Sequence, residues 1–280
     1  MKYCLPFHKG KEAYLNKTDE IKIYYDRRDS SLIDFLLKYK EKRIILTVNE
    51  IPEFIYYKDI ERFIGIKETY PDLDFTLEFP QIFLDQLDEE EENLLTTIKE
   101  NNIKFCFFTL VSDWDVFRGL VTLGVSDIYI VDNMAFELDK CSKIAHENNI
   151  CIRVFPNIAQ SKWDNTPGEK KFFIRPEDLQ YYEGFVDVVE FLGDRDNFYT
   201  IFDIYYSDKQ WHGDLNEIIY GLDINLDSRF VLPEVFAKTR IKCGKKCMKG
   251  VPCNICTRIK DVSETLKDKN LIIKKEKEKK

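Results

Sequence analysis

The chain has 280 residues, of which 44% are hydrophobic and 14% aromatic, and its formal net charge is -8. This composition excludes a disordered or fibrous chain, and the length suffices for one large domain or two small ones. The negative charge argues against nonspecific binding of nucleic acid or anionic membrane by the body of the protein. The N-terminus lacks an apolar signal segment, and no apolar run approaches the roughly 20 residues of a membrane span, so we expect a cytoplasmic protein without a membrane partner.

Eight short runs of β-branched or aromatic residues alternate with longer helical patterns. Helix candidates between the runs often begin at Ser or Asp and end at Gly or Asn-Asn. Eight such units over residues 19–207 predict a (β/α)8 barrel of the TIM type. An open doubly wound sheet uses the same alternation, but the first run is not followed by the G-x-G-x-x-G turn usual in such sheets. The runs are 21–26, 43–50, 73–79, 103–111, 127–132, 151–157, 172–178 and 186–193.

The predicted barrel divides the α/β chain into four parts. Residues 1–18 form an N-terminal segment, 19–207 the barrel, 208–262 a C-terminal extension with a four-cysteine metal site, and 263–280 a charged tail. The tail is rich in lysine and glutamate, and it is expected to be helical or disordered because such charge runs are usually solvated.

Polar residues at the carboxyl ends of the strands are the candidates for an active site, because barrel enzymes bind their substrates there. In the run 73–79, polar residues alternate with apolar ones, which turns Glu78 into the barrel near its mouth. The same parity selects one residue on each other run. The predicted ring is Asp26, Asn49, Glu78, Thr109, Asp132, Asn157, Arg175 and Glu190.

Catalytic roles are predicted for four residues of this ring. Glu190 interrupts an otherwise apolar run, and Arg175 could pair with an acid or clamp an anionic group with its guanidinium fork. For each residue, helix capping or simple solvation at a strand end is the structural alternative. The predicted catalytic residues are Glu78, Asp132, Arg175 and Glu190, and the predicted substrate-binding residues are Asp26, Asn49, Asn157 and Arg195.

Two segments within about residues 120–200 resemble the U32 peptidase-like family, also called collagenase-like proteases. They are GVSDIYIVDNMAFELDKCSKIAHENNICIRVFPN and FFIRPEDLQYYEGFVDVVEFLGDRD, and IRPEDL is their most specific element. The resemblance implies a barrel-like catalytic domain for protein or RNA processing, in several members by oxygen-independent hydroxylation, and in some with a [4Fe-4S] cluster on cysteines. The cysteines of this chain are grouped after the barrel instead of being dispersed through it, and no family catalytic residue matches one for one, so substrate and reaction stay open.

Four of the eight cysteines lie together in KCGKKCMKGVPCNICTR. Cys243, Cys247, Cys253 and Cys256 form a C-x3-C-x5-C-x2-C array, whose neighbouring lysines would offset the negative charge of a tetrathiolate site. In a cytosolic protein, clustered thiols indicate a metal site before a disulfide. The compact spacing favours a [4Fe-4S] cluster, and Zn²⁺ is the alternative, although its cysteine pairs are usually further apart.

Two functions are consistent with these features. The first is a U32-like iron–sulfur enzyme that binds a peptide or nucleic-acid substrate at the barrel mouth, with the cluster serving catalysis, electron transfer or rigidity. The second is a non-catalytic binding or maturation factor on a barrel scaffold, in which a structural zinc site fastens the C-terminal segment.

Overall fold

The computed structural model describes residues 1–26, 30–48, 57–80, 89–131, 134–160, 171–192, 197–207, 210–222, 226–231, 233–243 and 253–278. The chain divides into two compact units, and each is discontinuous in sequence. The first comprises Met1–Ile130, Lys143–Val154 and Asp187–Glu190, and the second comprises Val131–Ser142, Phe155–Val186 and Phe191–Lys280. The domain limits inferred from the sequence stay predictions.

Nine short strands in the described part of the first unit form one parallel sheet. The strand order is β5-β4-β3-β2-β1-β9-β8-β7-β6. An all-parallel sheet with intervening helices confirms the predicted α/β class and is compatible with a TIM-like fold. The strands are β1 (Lys2–Pro6), β2 (Glu20–Tyr25), β3 (Arg43–Val48), β4 (Phe75–Phe79), β5 (Lys104–Phe107), β6 (Leu110–Val111), β7 (Asp127–Ile130), β8 (Cys151–Val154) and β9 (Val188–Glu190).

The two ends of this strand order are adjacent in the chain. Only residues 108 and 109 separate β5, which pairs with β4, from β6, which pairs with β7. The backbone N–H of Ser126, directly before β7, donates a 2.8 Å hydrogen bond to the carbonyl of Phe105 in β5. Strand β5 stands at one end of the strand order, and this hydrogen bond joins it to the residue that precedes β7.

Helices follow most of the strands, and α5 shows the capping chemistry that its sequence predicts. The side chain of Asp113 accepts a hydrogen bond from the N–H of Val116, and Gly124 ends the helix with a φ of 70°. The helices are α1 (Glu12–Leu15), α2 (Leu32–Lys38), α3 (Tyr57–Thr69), α4 (Glu89–Glu100), α5 (Trp114–Leu123), α6 (Leu138–Glu147), α7 (Leu179–Tyr182), α8 (Phe198–Tyr206), α9 (Pro233–Ile241) and α10 (Ile255–Glu278).

One of the eight predicted strands is wrong, and a different segment provides a strand that the sequence pattern did not reveal. In the run 172–178, Phe172 makes only an isolated bridge to Gln160, and Pro176–Asp178 is a 3-10 helix. Proline has no N–H for a strand ladder but fits the first turn of a helix. The additional strand is β1, which pairs with β2 and β9 and lies in the segment expected to precede the barrel.

The second unit contains α7 to α10 and a core of aromatic residues. Phe172, Phe173 and Ile174 are consecutive and fully buried, which explains why the run looked like a strand in the sequence. The hydroxyl of Tyr205 in α8 donates a 2.6 Å hydrogen bond to the carbonyl of Ile174. The hydroxyl thereby satisfies a buried carbonyl that no strand ladder satisfies. Among the described helices, none combines the length and apolar character needed to cross a membrane.

Two leucine substitutions test whether β1 belongs to the core. Leu5 in β1 is fully buried, whereas Leu110 in β6 is 48% exposed. We expect Leu5→Ala to lower the free energy of unfolding by about 2–5 kcal/mol, because it removes buried methyl groups and leaves a cavity. Leu110→Ala should cost about 0.5 kcal/mol. Urea denaturation measures both losses, and equally small losses would contradict a buried β1.

Candidate functional site

Charged side chains alternate with apolar ones along the strands of the first unit. In β2, Glu20 and Lys22 flank the fully buried Ile21, and β7 carries Asp127 and Tyr129 in the same phase. Successive side chains point to opposite faces of a strand, so these residues share one face of the sheet. The residues joined by hydrogen bonds or ion pairs on this face are Glu20, Lys22, Arg43, Thr47, Thr76, Glu78, Asp127, Tyr129, Arg153 and Glu190. We call this set the interior network.

Lys22 lies between two carboxylates of the interior network. Its Nζ atom is 2.9 Å from Oε1 of Glu78 and 2.8 Å from Oε1 of Glu190, and it lies 4.4 Å from the ring centre of Phe108. Both glutamates are fully buried, and Lys22 is 5% exposed. Burial opposes the charged form of Lys22, but the two carboxylates outweigh it and raise its pKa above the usual value. Lys22 is therefore an ammonium ion at neutral pH.

The phenol of Tyr129 joins the same two carboxylates. Its hydroxyl is hydrogen-bonded to Oε1 of Glu78 and lies 2.9 Å from Oε2 of Glu190. Burial, together with these acids, raises the pKa of Tyr129 well above its usual value, so the phenol keeps its proton. A phenol has one hydrogen and donates to one carboxylate at a time, so the other contact is a hydrogen bond only when that carboxyl group is protonated. The group formed by Tyr129, Glu78 and Glu190 can therefore hold one additional proton, on a carboxyl group.

Ionised Glu190 is favoured by its surroundings. Burial alone would raise the pKa of Glu190, but Lys22 and Arg153 outweigh burial and lower it. Oε2 of Glu190 accepts a 3.3 Å hydrogen bond from Nε of Arg153, and Thr47 donates a 2.8 Å hydrogen bond to Oε2 of Glu78. Each oxygen of the two glutamates therefore has a donor within the network.

A second group of ion pairs occupies the amino half of the strands. Nη1 of Arg153 is 2.6 Å from Oε2 of Glu20 and 3.1 Å from Oδ1 of Asp127, and Nη1 of Arg43 is 2.9 Å from the same Asp127 oxygen. Burial disfavours the Asp127 carboxylate, but the two guanidinium groups lower its pKa nevertheless. For Glu20, burial dominates and raises the pKa. Arg153 connects this group to Glu190, so the network is continuous.

The charges of the network do not balance. Three cations, Lys22, Arg43 and Arg153, face the four carboxylates on Glu20, Glu78, Asp127 and Glu190, which leaves one net negative charge when all are ionised. One bound proton makes the set neutral, and an uncompensated charge in a buried site is costly. The raised pKa of Glu20 makes that carboxyl group one place for the proton, and the position beside Tyr129 is another.

The structure brings together two of the four residues predicted to be catalytic. Glu78 and Glu190 share Lys22 and Tyr129 as partners, although their catalytic role stays a prediction. The other predicted site residues have different surroundings or lie outside the described residues. Asp26 is exposed after β2, and Thr109 is buried between β5 and β6. Asn157 donates a 2.7 Å hydrogen bond to the carbonyl of Leu192. The predicted residues that lie outside the described part of the chain are Asn49, Asp132, Arg195 and Cys247.

In the IRPEDL segment, Arg175 makes hydrogen bonds that hold parts of the second unit together. Its Nε and Nη2 donate 2.6 and 2.8 Å hydrogen bonds to the two carboxylate oxygens of Asp178, and Nη1 donates a 3.1 Å hydrogen bond to the carbonyl of Val231. The hydroxyl of Ser228 is hydrogen-bonded to Glu177 and lies 3.2 Å from the same Nη1. These contacts use the whole guanidinium fork within the second unit and favour a structural role for Arg175.

Sequence reasoning missed Lys22, Arg43, Tyr129 and Arg153 because it considered only the residues that end each strand. The signal was present within the strands. The strand segments EIKIYY, RIILTV and CIRV each contain one lysine or arginine. Such a residue is unusual in a buried parallel strand, whose sequence is usually a continuous apolar run. A charge inside such a run indicates a partner on the same face of the sheet.

The cysteine array is only partly described. Cys243, Cys253 and Cys256 are partly buried. Within the described residues, no group of three or more His, Cys, Asp or Glu side chains is arranged to hold a metal ion. The metal site therefore stays a prediction.

Comparison of the chain with protein-family models gives no match, and comparison with curated proteins gives no significant match. The resemblance to the U32 peptidase-like family stays an expectation from the segments quoted above.

A double-mutant cycle on Lys22 and Glu190 tests the interior network. Either Glu190→Gln or Lys22→Met should lower the free energy of unfolding by about 3–5 kcal/mol, because each leaves a buried charge without its partner. The double variant should lose at least about 1 kcal/mol less than the two single losses combined. Urea denaturation of the three variants and the wild type gives these free energies of unfolding.

The exposed pair of Lys104 and Asp74 is the matched control. Its atoms are 2.8 Å apart, but the side chains are 51% and 44% exposed. Asp74→Asn should therefore cost about 0–1 kcal/mol. Losses for Lys22→Met and Glu190→Gln no larger than for this control would contradict a buried network.

Proposed function

We propose that this chain is a (β/α)8-barrel enzyme of the U32 peptidase-like kind, with a proton-transfer site for a peptide or nucleic-acid substrate. The observation that carries the proposal is the meeting of one ammonium, two carboxylates and one phenol, on Lys22, Glu78, Glu190 and Tyr129. Glu78, Tyr129 and Glu190 lie in the carboxyl half of their strands, the half that faces substrate in barrel enzymes, and Lys22 reaches two of them from the third residue of β2.

A closed barrel is part of the proposal. If β5 and β6 are two halves of one strand, the sheet has eight strands, with β4 on one side of the divided strand and β7 on the other. The hydrogen bond from Ser126 to Phe105 supports this closure, because it joins the β7 side directly to β5. Eight parallel strands with this order correspond to the (β/α)8 architecture.

The chemistry follows from the protonation states. Tyr129 and Glu78 would exchange the additional proton with the substrate, as a general acid–base pair does. Lys22 would stabilise negative charge that develops on a carbonyl or phosphoryl oxygen. Glu190 would hold Lys22 in place and is a positioning residue. Of these four side chains, Lys22 alone retains exposed surface.

We also propose that Cys243, Cys247, Cys253 and Cys256 hold a [4Fe-4S] cluster, with Zn²⁺ as the alternative. Four thiolates are a donor set that fits either group, and three of these cysteines are partly buried. When bound, a cluster supplies one-electron transfer or rigidity, whereas zinc supplies rigidity.

A non-catalytic binding or maturation factor is the second candidate function. The observation that favours it is the complete burial of Glu78, Tyr129 and Glu190, each with partners inside the network. A saturated, buried set of charges is also what a purely structural interior requires.

Mass spectrometry of two probe classes tests the proposed activity. Gelatin peptides and a synthetic RNA oligonucleotide are incubated with the reconstituted full chain, with Tyr129→Phe and with Lys22→Met. We expect the wild type to convert one probe class, and Tyr129→Phe to slow that conversion by about 10²–10⁴-fold, because it removes the proton-transferring hydroxyl.

Lys104→Met is the control, since it removes an exposed lysine from a neighbouring strand. Equal conversion by the wild type and the folded Tyr129→Phe and Lys22→Met variants would contradict the site. Binding of a probe by all variants alike, with no product from any, would favour the second candidate.

A further inference from the structure

Arg240 is a buried cation without a hydrogen-bond partner among the described residues. It lies at the end of α9 and is 1% exposed. Neither Nε nor either Nη atom has an acceptor within the described part of the second unit. Among the described residues, the other two fully buried arginines, Arg153 and Arg175, both have carboxylate partners. An unpaired buried charge is unfavourable, so the environment of Arg240 calls for an anion.

Three phenylalanine rings surround the Arg240 guanidinium. Its central carbon lies 5.0 Å from the ring centre of Phe136 and 4.5 Å from those of Phe173 and Phe236. Aromatic faces attract a guanidinium group and fix its position. They offer no strong acceptor for its N–H groups, which need oxygen, nitrogen or sulfur lone pairs. The rings therefore position the cation without satisfying it.

The titratable neighbours of Arg240 include both ends of the cysteine array. Burial lowers the pKa of Arg240, and Tyr182, Cys256, Asp178 and Cys243 act in the opposite direction. Asp178 is already held by both arms of the Arg175 fork. Burial raises the pKa of Tyr182, so its phenol keeps its proton and supplies no anion. The remaining acidic groups near Arg240 are the two cysteines, which border residues 244–255 at the end of α9 and the start of α10.

We propose that Arg240 is the charge partner of an anionic metal–thiolate group on Cys243, Cys247, Cys253 and Cys256. This inference rests on the metal site proposed above. Four thiolates outnumber the positive charges of either a [4Fe-4S] core or Zn²⁺, so both groups are anions that a buried guanidinium would stabilise. Hydrogen bonds from its N–H groups to the thiolate sulfurs would tune the bound group from outside its ligand shell. Arg240 is thus a positioning residue for the metal site.

Metal content and reduction potential of the full chain test this role. The wild type, Arg240→Met and Arg240→Lys are purified anaerobically and reconstituted with iron and sulfide, or separately with zinc. With a cluster, Arg240→Met should lower the reduction potential by about 60 mV, which is a tenfold change in the ratio of reduced to oxidised form for one electron. A positive charge stabilises the more negative reduced form, so its loss has this sign. With zinc, affinity should fall about 10–100-fold.

Arg258→Met is the matched control, because Arg258 is exposed and lies two residues after Cys256. It removes the same charge near the array and should leave potential and affinity unchanged. If Arg240→Met does not fold, Arg240→Lys supplies the test, with a smaller change of the same sign, since lysine keeps the charge but loses the planar fork.

The outcomes separate the inference from the proposed metal site. A wild type that takes up neither iron nor zinc would overturn both. A wild type that binds metal, with unchanged potential and affinity in the folded Arg240 variants, would overturn the role of Arg240 and leave the metal site standing. A change of similar size in Arg258→Met would also overturn it, because surface charge would then account for the effect.

Discussion

The pairing of Arg153 with carboxylates on three other strands is the interaction on which the first unit depends. From β8, this fully buried guanidinium reaches Glu20 in β2, Asp127 in β7 and Glu190 in β9. A buried cation of this kind requires well-placed anions, so the positions of the three strands and of Arg153 are mutually constrained. The apolar residues of the opposite phase, such as Ile21 and Ile128, bury the other face of the same strands.

The network has two groups of contacts. In the first, Arg43 and Arg153 pair with Asp127, and proton transfer there would break paired charges. In the second, Tyr129 offers one hydrogen to two carboxylates, which leaves a position where a proton can be held. The second group is the part that we propose for chemistry. Arg153 couples the two groups through Glu190.

Strand parity was sufficient to predict Glu78 and Glu190, because both follow the period of two that a buried strand imposes. The same rule applied inside the strands would have found Lys22 and Arg153. It could not have found β1, since only two of its five residues, Cys4 and Leu5, are buried and they are adjacent, which gives no period of two. Its pairing with β9 joins residues 186 positions apart, such as Lys2 and Val188.

The second unit was less predictable from the sequence, because several of its contacts join residues that are far apart in the chain. The contact of Arg175 with Asp178 is local, at a separation of three residues, but its contact with Val231 closes a separation of 56 residues. The buried residues Phe172, Phe173 and Ile174 have the composition of a strand, and only Pro176 indicated that a ladder would not form there. The aromatic surroundings of Arg240 are likewise assembled from Phe136, Phe173 and Phe236, which no local pattern connects.

The most direct test of the interior network is an NMR titration of the Lys22 side chain in the ¹⁵N-lysine-labelled full chain, assigned by the signal lost in Lys22→Met. Because Glu190 and Glu78 raise the pKa of Lys22, its signal should remain that of an ammonium ion at a pH where the signals of exposed lysines are those of the neutral amine. Deprotonation of Lys22 together with the exposed lysines, or before them, would contradict the pairing on which this account rests.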